Sequence, residues 1–75
     1  MCVFETEWFT GRATLYEGVG TECVTAPFGI LANINTTDKP VTFYKHVNCT
    51  GASIATSAGN PHSWKSHGPM YSFRN

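Results

Sequence analysis

The chain has 75 residues, 41% of them hydrophobic, and its five Lys and Arg balance its five Asp and Glu. That length holds one small domain, 1–75, able to bury only about 60% of its unfolded surface. Neutrality excludes a polybasic footprint for nucleic acid or an anionic membrane, and no run reaches the roughly 18 apolar residues of a spanning helix, so neither partner is expected. A monomer is expected ahead of an oligomer, and no other partner is named by the composition. The charges are unevenly placed: Glu5, Glu7, Glu17 and Glu22 against Arg12 make the first 35 residues −3, and Lys39, Lys45, Lys65 and Arg74 against Asp38 make the rest +3.

In chain order, β-branched and aromatic residues gather in short segments that Gly, Pro, Asn, Asp or Ser interrupt every eight to twelve residues. No amphipathic helix of three turns fits between such breaks. Strands are predicted at 2–8, 12–17, 22–25, 30–34, 41–47, 52–56 and 70–74, with "TTDKP" as the central connection. The pattern is that of an all-β sandwich. The stretch "TSAGNPHSWKSHGP" reads as irregular, because Pro61 and Pro69 bar it from a central strand.

The two halves repeat one another at an offset of forty: Phe4 falls on Tyr44, Phe9 on Cys49, Thr10 on Thr50 and Gly11 on Gly51. An aromatic opening a strand, then a tight polar turn, then glycine seven residues on describes a hairpin folded back over its own sheet. Glycine is wanted there because a positive φ costs a residue with a Cβ about 1 kcal/mol or more. Tyr44 is expected to behave as a core aromatic.

These residues resemble the Greek-key motif of the βγ-crystallins, in which an aromatic is followed by a second aromatic at plus five, glycine at plus seven and serine near plus twenty-eight. Tyr44, Gly51 and Ser72 fit it, the last within "SFR", and Cys49 stands in for the second aromatic. In the first copy Phe4, Phe9 and Gly11 fit, while Asn33 takes the serine's place one residue late and is expected to hydrogen-bond the folded hairpin instead. The resemblance implies a single microbial-type domain of two motifs, about 1–36 and 40–75. It further implies two four-stranded sheets with one strand of each motif exchanged into the other.

Many microbial relatives hold calcium in an N/D-N/D-x-x-S/T-S loop before the last strand, since a hard cation requires six to eight oxygens. The corresponding windows are "FGILAN" and "HGPMYS". Phe28, Gly29 and Ala32 replace ligands in the first and His67, Gly68 and Tyr71 in the second, leaving Asn33 and Ser72 as side-chain oxygens. Calcium binding is expected to be absent or weak, and no other cofactor is expected.

Other chemistry is thinly supported. His46, His62 and His67 with Cys49 have the N and S donors zinc favours, but no recurrent metal-site spacing, so surface histidines are expected. Asp38 is the sole aspartate, no GxSxG elbow exists, and Cys49 near His46 reads as an inert packed thiol rather than a nucleophile. No enzymatic activity is expected. The triplets Asn35-Thr36-Thr37 and Asn48-Cys49-Thr50 are glycan acceptors only in a secreted chain. Trp8 and Trp64 are expected to pack over the sandwich ends rather than stand out as binding anchors.

Cys2, Cys23 and Cys49 can close one bridge at most. All three reduced is the expectation, ahead of one bridge with one free thiol, because Met1 is not followed by an apolar leader. The location is not fixed by the sequence: a cytoplasmic one is the expectation for the chain as given, and a secreted one if a leader precedes Cys2. The leading functional expectation is a structural, storage or stress-associated protein. The alternative is a secreted antimicrobial, killer-toxin-like or protease-inhibitor protein on the same fold, which a disulfide and a leader would favour.

Overall fold

Burial alternates with a period of two along Val24–Ile30 and from Val41 to Tyr44 in the computed structural model, which describes residues 1–64 and 68–75. In chain order the strands are β1 (Cys2–Phe4), β2 (Ala13–Leu15), β3 (Val24–Ile30), β4 (Ala32–Ile34), β5 (Val41–His46), β6 (Thr50–Thr56), β7 (Pro61–Ser63) and β8 (Met70–Arg74). They form two four-stranded sheets, ordered β2-β1-β4-β7 and β3-β8-β5-β6, and every pairing is antiparallel. Strand β3 comes from the first half of the chain yet lies beside β8, and β7 comes from the second half yet lies beside β4. Each half thus completes the other half's sheet.

Ala26, Phe28 and Ile30 of β3, Val41 and Phe43 of β5, and Phe73 of β8 are buried, together with Met1, Val3, Trp64 and Met70. Phe43 lies at the centre, its ring 4.7 Å from Trp64 and 5.3 Å from Phe73. Tyr16 closes one side edge-on against Phe73 at 4.9 Å. This neighbour parity corrects the reading of Tyr44: Phe43 is the core residue, and Tyr44 lies half-buried on the other face with the Arg74 guanidinium 5.8 Å from its ring.

Among the differences from the expected segments, four have identifiable reasons, while the expected 12–17, 41–47 and 52–56 shift by one or two residues to Ala13–Leu15, Val41–His46 and Thr50–Thr56. The strand expected over 2–8 ends at Phe4, where the chain enters the first fold-back. Strand β3 runs on to Ile30 through Pro27, tolerated because β3 is an edge strand whose register with β8 shifts between Thr25 and Ile30. The segment 30–34 is divided at Leu31, whose N–H donates to Phe4 O and whose carbonyl accepts from Trp64 N, where the chain passes from one sheet to the other. The stretch read as irregular contains β7, and Pro61 opens it on a sheet edge, where a missing N–H costs no ladder bond.

Candidate functional site

The offset of forty is kept in the backbone. Phe9 and Cys49 have φ of 59° and 55°, and Gly11 and Gly51 have 77° and 82°, so equivalent residues of the two copies share the left-handed region. A Cβ on Gly11 would stand 2.7 Å from Glu5 Cγ, and one on Gly51 would overlap the His46 imidazole. Both fold-backs therefore need glycine for φ and for space.

The second fold-back is closed from beneath. Ser72 Oγ accepts from Cys49 N at 2.8 Å and donates to His46 O at 2.5 Å, spanning the 3-10 turn Val47–Cys49. Cys49 is also bonded to Cys23, with Cα atoms 5.9 Å apart, leaving Cys2 as the free cysteine. The expectation of three reduced cysteines is thereby overturned, as is that of Cys49 as a packed thiol. Exchange of β3 into the second sheet is the reason, since it carries Cys23 next to the turn that carries Cys49.

The first fold-back closes differently. Phe4 pairs with Ala32 as Tyr44 pairs with Ser72, so Ala32, not Asn33, occupies the serine's place and offers no hydroxyl. Asn33 instead lies in the interior, its amide N–H reaching Thr56 Oγ1 at 3.4 Å and its Oδ1 unpartnered, and it does not bond the hairpin as expected. Glu5 substitutes: its carboxylate accepts from Arg12 N and Arg12 Nε, each at 2.8 Å, while Glu5 N donates to Arg12 O. The Arg12 backbone N–H first, and its guanidinium second, hold the Glu5 pKa below the usual carboxylate value. Phe9 packs edge-on against Phe4 at 5.6 Å, the aromatic pair that Tyr44 and the bridged Cys49 lack.

Between Glu5 and Arg12 the turn is held by Thr6, whose Oγ1 accepts from Trp8 N at 3.3 Å and Thr10 N at 3.2 Å. Trp8 is 72% exposed, contrary to the packing expected of it, whereas Trp64 is fully buried as expected. Thr6, Glu7, Trp8 and Leu31 line an open groove of about 530 Å³. Neither residue type nor local polarity could separate the two tryptophans, since Glu7 and Phe9 flank the exposed one while Ser63 and Lys65 flank the buried one.

The calcium windows are occupied by the fold itself. Phe28 and Ala32 are core residues, Gly29 lies against Pro69 and Tyr71, and Ser72 spends its hydroxyl on the second fold-back. Tyr71 is exposed, Gly68 has a φ of 73°, and His67 lies outside the described residues. Of the zinc candidates, Cys49 is bridged, His46 packs under Gly51, and His62 lies against Trp64 at 5.5 Å. Among the described residues no three His, Cys, Asp or Glu side chains converge.

Asn35, one of the two glycan-acceptor candidates, is fully buried. Its Nδ2 reaches Lys39 O, Thr56 O and Ser57 O at 2.9, 3.2 and 3.3 Å, and its Oδ1 accepts from Thr37 N and Thr37 Oγ1 at 3.0 and 2.6 Å. Asn48 is exposed at the tip of the second fold-back. No protein-family model, curated protein or solved structure matches this chain.

Proposed function

We propose that this chain is a non-enzymatic, βγ-crystallin-like binding protein that works in an oxidising, extracytoplasmic setting without calcium. The Cys23–Cys49 bridge carries this reading. Disulfides persist where thiols are not held reduced, and a domain of 75 residues gains from one because its core is small. The strand exchange and the paired left-handed backbones support the crystallin-like part. The lack of a carboxylate in either calcium window supports the calcium-independent part. A structural or storage role is the second reading, favoured by the balanced charge and by fold-backs closed by the side chains of Ser72 and Glu5.

Alkylation of the unreduced protein followed by mass mapping tests the bridge: Cys2 should label, and Cys23 and Cys49 should remain joined. With its ends 26 positions apart in the sequence, the bridge is expected to stabilise the domain by about 3–4 kcal/mol in the chain-entropy treatment. Three labelled cysteines after expression in an oxidising compartment, with the same melting temperature in dithiothreitol, would return the structural reading to first place.

A further inference from the structure

The Trp8 indole is not required by the fold. Asn48 occupies the equivalent position of the second fold-back, and that hairpin forms with a polar tip. Trp8 contributes little burial at 72% exposure, in a domain small enough that large apolar side chains are needed inside. Its backbone is nevertheless tightly held, by Thr6 Oγ1 on the N–H groups of Trp8 and Thr10 and by Phe9 N donating to Thr6 O at 3.3 Å. An exposed aromatic carried on a braced backbone loses less entropy on binding than one on a mobile loop.

The groove beside the indole has a definite chemistry. Leu31 supplies apolar surface and Glu7 an acid, and among the described residues Glu7 makes no hydrogen bond or ion pair. Glu5, by contrast, is neutralised by Arg12. Across residues 1–17 the side chains Glu5, Glu7 and Glu17 against Arg12 leave −2. An indole beside the Glu7 carboxylate, which has no ion-pair partner among the described residues, complements a cation with apolar flanks, and a guanidinium satisfies both at once by stacking on the ring and hydrogen-bonding to the acid.

We propose that the Thr6–Glu7–Trp8–Leu31 groove docks an arginine-bearing segment of another protein, with the guanidinium over Trp8 and paired to Glu7. This rests on the binding-protein reading above, but its test is independent of the cysteine chemistry that tests that reading.

The oxidised protein is titrated with a capped Gly-Gly-Arg-Gly-Gly peptide, following backbone amides and the two indole N–H signals by NMR. The same peptide with citrulline in place of arginine, and cellopentaose, serve as uncharged probes. Saturable movement of the Trp8 indole and the Glu7 and Leu31 amides is expected with the arginine peptide, while the Trp64 indole stays still. Citrulline should weaken binding at least about fivefold, Glu7→Gln at least about threefold, and Trp8→Ala should remove it, in line with an exposed cation–π contact and a charge-assisted pair. Both variants should keep the wild-type pattern of sheet amides, since neither side chain is in the core. No saturable shift with the arginine peptide, equal binding of the citrulline peptide, or tighter binding of cellopentaose overturns the proposal. So does movement of the same signals on raising the protein concentration alone, which would make a second copy the occupant.

Discussion

Ser72 holds Cys49 in the left-handed region: its hydroxyl accepts from the Cys49 N–H at 2.8 Å and donates to His46 O, bracing a residue whose φ is 55°. Ser72→Ala removes both bonds beneath the fold-back and is expected to cost about 1–3 kcal/mol in urea unfolding. The reciprocal change, Ala32→Ser, brings no gain, because Phe9 N already donates to Thr6 O and the added hydroxyl is buried at a fully enclosed position. A loss below about 0.3 kcal/mol for Ser72→Ala would show that the bridge alone holds the turn.

Gly11→Ala and Gly51→Ala each force a Cβ into a positive-φ position and are expected to cost about 1–3 kcal/mol. Gly11→Ala has a second consequence, since its Cβ would press on the Glu5 side chain that pairs with Arg12. Gly18, with no atom within 4 Å of a built Cβ, is the control and should tolerate alanine within about 0.5 kcal/mol. Equal melting curves for all three alanine variants would dismiss the fold-back role of these glycines.

Asn35→Ala should be among the most damaging polar substitutions. The Asn35 side chain gathers the carbonyls of Lys39, Thr56 and Ser57 and the amide of Thr37, so it ties the connection between the two halves to the end of β6. Truncation leaves buried groups unpaired, and a loss of about 2–4 kcal/mol is expected by chemical denaturation. A glycan on the same nitrogen would be equally incompatible with the fold.

The Glu5–Arg12 closure predicts a pH signature. Because the Glu5 pKa is lowered in the folded state below its usual value near 4.5, the stabilisation is fully present above that value and is lost as pH falls through the folded pKa. Glu5→Gln should lower the melting temperature near neutrality, converge with the wild type at the acid end, and so flatten the acid limb. Parallel curves with a constant gap would mean that Glu5 acts through packing and not through its charge.

The all-β class, the breaks between strands and the repeat at forty were legible because each depends on local chemistry: β-branched patterning, turn residues, and a glycine where the backbone needs a positive φ. The same locality limits what can be read. One residue of register decides whether Ala32 or Asn33 meets Phe4, and neighbour parity decides that Phe43 enters the core while Tyr44 remains outside. The exposed Trp8 and buried Trp64 differ only in where the chain carries them. Cys23 and Cys49, 26 residues apart, become neighbours only because β3 crosses to the other half's sheet. Sequence by itself determined the strand-and-turn grammar; tertiary structure alone decided which side chains meet, because sheet exchange and register are set by pairings distant along the chain, whose energy no local segment contains.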